Sequence, residues 1–298
     1  MRIIRFSKEN TIHLAAYTDD KKIYLLPYHD FFDIVRLADD QETTPLQIIN
    51  NMIAELMPLE LNIEDLDLLV PIEAPEVWAA GVTYLKSKEA RNYEATGGKL
   101  DATTFYDKVY NAPRPEIFFK STSARTKGTG QDLYIRSDSH WQIPEPELGL
   151  VLNKEGNIIG YTAGNDMSSR DIEGENPLYL PQAKIWRNSC SIGPAIRLAE
   201  TVMDPYQFQI TCRIFRHEKQ VFQGSASTGQ LKRKFDELVS YLIKDNEIFD
   251  GTILLTGTCI VPPNEFTLED GDRVEIDISG IGVLNNPIKK QPKSITVG

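Results

Sequence analysis

The sequence contains few cysteines and no long apolar run. Its three cysteines, Cys190, Cys212 and Cys259, stand at none of the spacings that metal sites use, and an odd number argues against a disulfide framework. No apolar run approaches the roughly 18 residues that a membrane-spanning helix needs. The N-terminal stretch MRIIRFSKEN becomes charged too soon for a signal peptide. We therefore expect a cytoplasmic protein with no membrane partner.

Positive charge is also scarce. The chain carries 32 lysines and arginines against 43 aspartates and glutamates, which gives a formal net charge of −11. A field of this sign repels phosphate backbones, so we expect no nucleic-acid partner. An anionic small molecule would need a local cation in its binding site, and the candidates are a lysine and a bound metal ion.

The spacing of apolar residues predicts an α+β protein that is mainly β. Residues 1–72 show three short strand patterns and then two helical ones, which predicts a small α+β N-terminal domain. The proline-punctuated stretch PIEAPEVW marks the expected boundary. Residues 73–298 contain mostly strand patterns, which are typical of a twisted, partly rolled sheet whose loops carry function.

Two glutamates on a predicted strand are the first candidates for a metal site. In EPELGLVL, Glu145 and Glu147 are two residues apart and therefore share a face of the strand. Two carboxylates this close in an apolar setting cannot both stay ionised without a cation, and a divalent ion with oxygen ligands would resolve the conflict. The alternative is an exposed edge strand that carries two solvated glutamates.

Two further motifs supply charged candidates. In GYTAGNDMSSRD, Asp166 ends a predicted strand and is a candidate third oxygen ligand, while Arg170 could bind a substrate carboxylate in bidentate fashion. Ser168 and Asp171 also fit a capping box at a helix start. In QAKIW, Lys184 could pair with a substrate oxygen or transfer a proton. The alternative for Lys184 is a surface lysine whose stem lies along apolar groups.

Together these motifs resemble the core of the fumarylacetoacetate hydrolase superfamily. The pattern EPELGLVL, GYTAGNDMSSRD and KIWRNSCSIGP, with its flanking motifs, covers about residues 75–290. The resemblance implies a mixed β-sandwich roll with a variable N-terminal domain, assembled as a homodimer or a dimer-based higher oligomer. It implies substrate contacts by Lys184, Arg170 and Thr258. The metal ligands that it implies are Glu145, Glu147 and Asp166.

One motif departs from the hydrolytic members of that superfamily. They carry N-Y-x-x-H-x-x-E, whereas this chain reads TYLKSKEA, with Ser87 in place of the histidine and Ala90 in place of the glutamate. Ser87 cannot act alone as a general base near neutral pH. The stretches RPEIFFK and ENPLYLPQAK instead resemble the 2-keto-3-deoxy-D-arabinonate dehydratases of oxidative pentose degradation, where Glu116 replaces an apolar residue.

This second resemblance implies metal-dependent elimination of water from a 2-keto acid, 2-keto-3-deoxy-D-arabinonate, to give 2,5-dioxopentanoate. Mg²⁺ is the expected ion, with Mn²⁺ or Ca²⁺ as substitutes. Glu116 is the expected base and Lys184 the group that assists enolisation or the leaving hydroxyl, although these roles could be exchanged. Ser87 would hydrogen-bond a substrate hydroxyl. The alternatives are a C–C hydrolase of acylpyruvates or fumarylacetoacetate, an oxaloacetate decarboxylase, and a non-catalytic sugar-acid-binding module.

Overall fold

The N-terminal strands and helices form where the sequence patterns predict them. The computed structural model describes residues 1–85, 89, 93 and 109–291. Its first elements are β1 (Arg2–Lys8), β2 (Thr11–Tyr17), β3 (Ile23–Leu25), α1 (Phe31–Asp40), α2 (Pro45–Ile53) and β4 (Asp67–Leu68). Both helices begin at a capping side chain, because Asp30 accepts a hydrogen bond from the Phe32 N–H and Thr44 accepts one from the Gln47 N–H.

The rest of the described chain consists mainly of strands. Its strands are β5 (Glu76–Gly81), β6 (Glu116–Thr122), β7 (Thr126–Lys127), β8 (Leu133–Ile135), β9 (Gln142–Ile143), β10 (Pro146–Leu152), β11 (Ile158–Asp166), β12 (Ser168–Ser169), β13 (Cys190–Leu198), β14 (Gln209–Arg216), β15 (Lys219–Ser227), β16 (Thr252–Leu255), β17 (Arg273–Ile278) and β18 (Gly282–Lys290). Its helices are α3 (Arg170–Glu175), α4 (Leu180–Lys184) and α5 (Phe235–Leu242). Within the part of the chain that the structure describes, no helix is both long and apolar enough to cross a membrane.

Two large sheets face each other across the main core. The first runs β3-β2-β1-β13-β11-β10-β16-β5-β6, with β4 beside β1 and β7 beside β13, and the second runs β15-β14-β17-β18-β8. Leu148 and Leu150 of β10 belong to the same buried cluster as Ile210 and Ile214 of β14. Side chains from both sheets therefore fill one core, as in a β-sandwich. The predicted mainly-β fold class is confirmed.

The outer face of β10 contacts the N-terminal helices. Val151 shares a second buried cluster with Ile253 of β16 and with Phe31 and Ile34 of α1. The N-terminal strands also extend the first sheet, because β1 pairs with β13 at Arg2 and Arg197. The sheet is therefore continuous across the predicted boundary at residue 72, and the division into two domains stays a prediction.

Candidate metal centre and active site

Three carboxylates converge where β10 and β11 meet. These strands pair antiparallel with Pro146 opposite Asn165, and the Asp166 N–H donates to the Glu145 carbonyl at 3.0 Å. The register brings the residue before β10 beside the last residue of β11. Glu145, Glu147 and Asp166 each offer an oxygen, and these oxygens lie within 4.8 Å of one another. The structure thus brings together the three predicted ligands.

The two glutamates are not on an exposed edge. Strand β10 lies between β11 and β16, and every residue of it is buried. Glu145 is 4% exposed and Glu147 is 1% exposed. The alternative of two solvated glutamates is therefore wrong, and the electrostatic conflict inferred from the sequence is present in the fold.

The carboxylates respond to this conflict in opposite ways. Burial raises the pKa of Glu147 well above its usual range, and the Asp166 and Glu145 carboxylates add to the effect. Burial also opposes ionisation of Asp166, but the ammonium groups of Lys120 and Lys184 hold the pKa of Asp166 below its ordinary value. A cation among the three oxygens would favour the ionised form of Glu147 as well.

Lys184 lies inside this cluster. Its ammonium donates to Glu145 Oε2 at 2.6 Å, to Asp166 Oδ2 at 3.0 Å and to Ser168 Oγ at 2.6 Å. The side chain is fully buried, so the alternative of a surface lysine is wrong. Helix α4 ends at Lys184, and its position there directs the side chain back to the ends of β10 and β11.

A second buried lysine was missed by the sequence reasoning. Lys120 on β6 is fully buried, and its ammonium lies 2.6 Å from Asp166 Oδ1. It also donates to the Met167 carbonyl at 2.8 Å and to the Lys184 carbonyl. Asp166 is therefore held by one lysine on each oxygen. No local sequence pattern indicated this role, because the pairing of β5 with β6 shifts register at Lys120 and simple alternation along the strand is interrupted there.

Arg170 contacts a metal-ligand candidate rather than open solvent. Its Nη2 donates to Glu145 Oε1 at 2.9 Å, and its side chain is 2% exposed. The capping-box interpretation of the neighbouring residues is wrong. Helix α3 follows Ser169 without a side-chain cap, and Asp171 instead accepts hydrogen bonds from Ser139 Oγ at 2.6 Å and from the His140 N–H at 2.9 Å.

Backbone donors complete the site at the end of β16. The Gly257 N–H donates to Glu147 Oε2 at 2.6 Å. Gly257 has φ of +94°, and a Cβ there would lie 2.9 Å from the Ala80 carbonyl and closer still to Thr83 Oγ1. Thr83 Oγ1 in turn donates to the Thr256 carbonyl at 2.8 Å. Only glycine suits this position, since a side chain would be strained and would also clash.

A small cavity joins these residues. It measures about 10 Å³ and is lined by Ala80, Gly81, Val82, Phe118, Glu145, Glu147, Asp166, Lys184 and Thr258. This volume suits a single ion or water molecule. A larger cavity of about 810 Å³, lined in part by Arg136 and Lys290, contains none of the predicted site residues. We place the chemistry at the small cavity because the converging charged groups lie there.

Of the remaining predicted site residues, two lie at or next to the cavity and one lies outside the described residues. Thr258 lines the cavity and is 4% exposed. Glu116, the first residue of β6, pairs with Gly81, which also lines the cavity. Ser87 lies outside the described residues.

The donor set fits a hard divalent cation. The three ligand candidates offer carboxylate oxygens, which Mg²⁺ prefers, and two of the carboxylates raise the pKa of the third. Lys120, Lys184 and Arg170 are buried cations that lie against Glu145 and Asp166. Glu147 accepts a hydrogen bond from the neutral Gly257 N–H, and a divalent ion at Glu145, Glu147 and Asp166 would favour its ionised form.

Comparisons with known proteins agree with this geometry. Residues 86–289 match the family described as fumarylacetoacetate (FAA) hydrolase C-terminal. The chain is 42% identical over 293 residues to the 2-dehydro-3-deoxy-D-arabinonate dehydratase of Saccharolobus solfataricus, covering 98% of each chain. It is 42% identical over 258 residues to the "Probable 2-keto-3-deoxyxylonate dehydratase" of Haloferax volcanii, covering 87% of each.

A solved structure extends the likeness to the whole fold. A 2-keto-3-deoxy-D-arabinonate dehydratase complexed with magnesium and 2,5-dioxopentanoate superposes with a TM-score of 0.84 at 39% identity. The match covers 98% of this chain and 100% of that one. The family resemblance inferred from the motifs is confirmed, and this chain belongs to the fumarylacetoacetate hydrolase family.

Proposed function

We propose that this protein is a Mg²⁺-dependent hydro-lyase that converts 2-keto-3-deoxy-D-arabinonate to 2,5-dioxopentanoate and water. One observation carries the proposal. The buried carboxylates Glu145, Glu147 and Asp166 converge with Lys184 on one cavity, in a chain that matches over nearly its full length a dehydratase solved with magnesium and that product.

The metal would be held by Glu145, Glu147 and Asp166. A bound divalent ion supplies Lewis acidity, which polarises the C2 carbonyl of a 2-keto acid and makes its C3–H more acidic. Arg170 and Lys184 contact Glu145 on different oxygens and so fix the direction of that carboxylate. Lys120 does the same for Asp166. Preorganisation of this kind is what keeps ligand oxygens in place for a small ion.

Proton transfer is assigned to Glu116 and Lys184. Glu116 accepts the C3 proton of the substrate. The Lys184 ammonium, which is hydrogen-bonded to two carboxylates, offsets negative charge that develops on the substrate and assists departure of the C4 hydroxyl as water. Loss of one C3 proton and one C4 hydroxyl, followed by tautomerisation, gives 2,5-dioxopentanoate. Substrate contacts are assigned to Thr258, which lines the cavity, to Arg170 and, at a substrate hydroxyl, to Ser87.

We further propose that the enzyme acts as a cytoplasmic homodimer or dimer-based oligomer. The family membership of the chain supports the dimer. The odd number of cysteines argues against a disulfide framework and supports the cytoplasmic location. Sedimentation of the purified protein tests the assembly, and a monomer at micromolar concentration would reject it.

The function is tested by comparing substrates and one base variant. The parent should form 2,5-dioxopentanoate from 2-keto-3-deoxy-D-arabinonate faster than it cleaves an acylpyruvate or decarboxylates oxaloacetate. Glu116→Gln should lower the dehydration rate by about 10²- to 10⁴-fold, the usual contribution of a general base. Glu76→Gln, at the far end of β5 where its carboxylate accepts from Trp78 Nε1, is the matched control and should keep the parent rate. Faster cleavage or decarboxylation than dehydration would reject the proposal.

A further inference from the structure

The last residue of β5 has no side chain, and a glutamate occupies the vacant volume. Gly81 pairs with Glu116 across β5 and β6. A Cβ added to Gly81 would lie 2.6 Å from Glu116 Cδ and closer still to Glu116 Oε2. Real Cβ atoms essentially never come within 3.0 Å of such neighbours. The Glu116 carboxylate can therefore lie here because residue 81 is glycine.

This contact sets the Glu116 carboxylate against the wall of the metal cavity. Gly81 lines the cavity together with Glu145, Glu147 and Lys184. Glu116 shares its strand face with Phe118, two residues on, and Phe118 lines the same cavity. Glu116, the assigned base, and Phe118, which lines the cavity, therefore lie on the same face of β6.

The backbone that follows Gly81 is held in place, so a clash at position 81 would move the side chain of Glu116. Val82 has φ of +54°, a conformation that β-branched residues rarely adopt and that persists where the surroundings fix it. Thr83 next to it donates to the Thr256 carbonyl, and the Thr83 carbonyl accepts from the Lys232 N–H at 3.0 Å. The φ of Gly81 lies outside the left-handed region, so alanine suits its conformation.

We propose that Gly81 is a positioning residue for Glu116. The absent side chain leaves the space in which the Glu116 carboxylate lies beside the metal cavity, and any larger residue at position 81 moves the carboxylate away. This inference rests on the proposed function, in which Glu116 is the base.

The test is Gly81→Ala, alone and combined with Glu116→Gln, in a dehydration assay. Gly81→Ala should lower the rate constant by at least about tenfold while calorimetry gives a Mg²⁺ affinity within about twofold of the parent. In the Glu116→Gln background the same change should have no further effect on the rate, because the base on which it acts is already absent. Gly224→Ala is the matched control, since its Cβ would also clash with a side chain, at 2.7 Å from Ile260 Cγ2, and it should keep the parent rate.

Stability gives a second measurement that needs no substrate. Relative to its own background, Gly81→Ala should give a higher Tm in Glu116→Ala, where the carboxylate is gone, than in the parent. Equal changes of Tm in both backgrounds would overturn the proposal, as would an unchanged rate in Gly81→Ala or rate losses that multiply in the double variant. A parent that forms no 2,5-dioxopentanoate would reject the proposed function instead, and the Tm comparison would still decide the contact between Gly81 and Glu116.

Discussion

Removal of the buried Lys120 ammonium should destabilise the protein strongly. Lys120 is fully buried and lies 2.6 Å from Asp166 Oδ1, and it also donates to two backbone carbonyls. Lys120→Met would leave those carbonyls without this donor and Asp166 with less compensation for its charge. Breaking a buried ion pair by removing one partner costs about 3–5 kcal/mol. At roughly 2 °C per kcal/mol for a large domain, the Tm should fall by roughly 6–10 °C.

The measurement is thermal unfolding followed by circular dichroism, in chelator so that metal binding does not contribute. Lys22→Met is the matched control, because Lys22 pairs with Asp20 at 2.8 Å but both side chains are more than half exposed. Exposed pairs contribute little, so the control should match the parent. Lys120→Met with Asp166→Asn should lose less than Lys120→Met alone, since the uncompensated charge is then absent. A Tm for Lys120→Met equal to that of the control would refute the reasoning.

Three further predictions concern Glu147. Glu147→Gln should weaken Mg²⁺ binding in calorimetry by more than about 100-fold, because losing a group that only hydrogen-bonds a metal ligand already costs up to about 100-fold in affinity. Binding equal to the parent would exclude Glu147 as a ligand. Because burial raises the pKa of Glu147, Mg²⁺ must displace its proton, so affinity should rise with pH until Glu147 is ionised in the free protein and then level off. Titrations in buffers of different ionisation enthalpy should show proton release below that pH, and binding heats that are the same in every buffer would contradict this. Gly257→Ala should also weaken Mg²⁺ binding, since the N–H that holds Glu147 would move, and unchanged affinity would show that this donor is dispensable.

The carboxylate site was predictable because its logic is local. Glu145 and Glu147 share strand parity, and their apolar neighbours predict the burial that makes a cation necessary. Asp166 was a candidate third ligand because it ends the next predicted strand. Periodicity and charge, which a sequence displays directly, made these residues candidates. They left two solvated glutamates as an alternative, and the family resemblance favoured the metal site.

Other parts of the site depend on contacts that no local pattern displays. Lys120 reaches Asp166 across the sheet, from a strand 46 positions earlier in the numbering. Gly257 contributes a backbone N–H, which every residue except proline has, so its residue type alone does not indicate the role. Ser168 and Asp171 matched a capping box because the same residue types also bind distant partners, and here Ser168 accepts from Lys184 while Asp171 accepts from Ser139.

The N-terminal region illustrates the same limit for the fold. Its strands and helices were predictable from apolar spacing, but their attachment to the large sheet was not. The pairing of β1 with β13 places Arg2 opposite Arg197. The apolar pattern of these two segments is equally consistent with strands that belong to different sheets. Tertiary pairing, rather than propensity, decides which strands become neighbours.

Metal-dependent dehydration on the three carboxylates is tested by following 2,5-dioxopentanoate formation from 2-keto-3-deoxy-D-arabinonate with and without a chelator. We expect product formation by the purified protein, its loss when EDTA removes the metal, and its return when excess Mg²⁺ is added. Glu145→Ala should not regain activity under the same addition, because the ion would lack a ligand. Product formation that persists unchanged in EDTA, or in Glu145→Ala, would show that the reaction does not need a metal at these carboxylates.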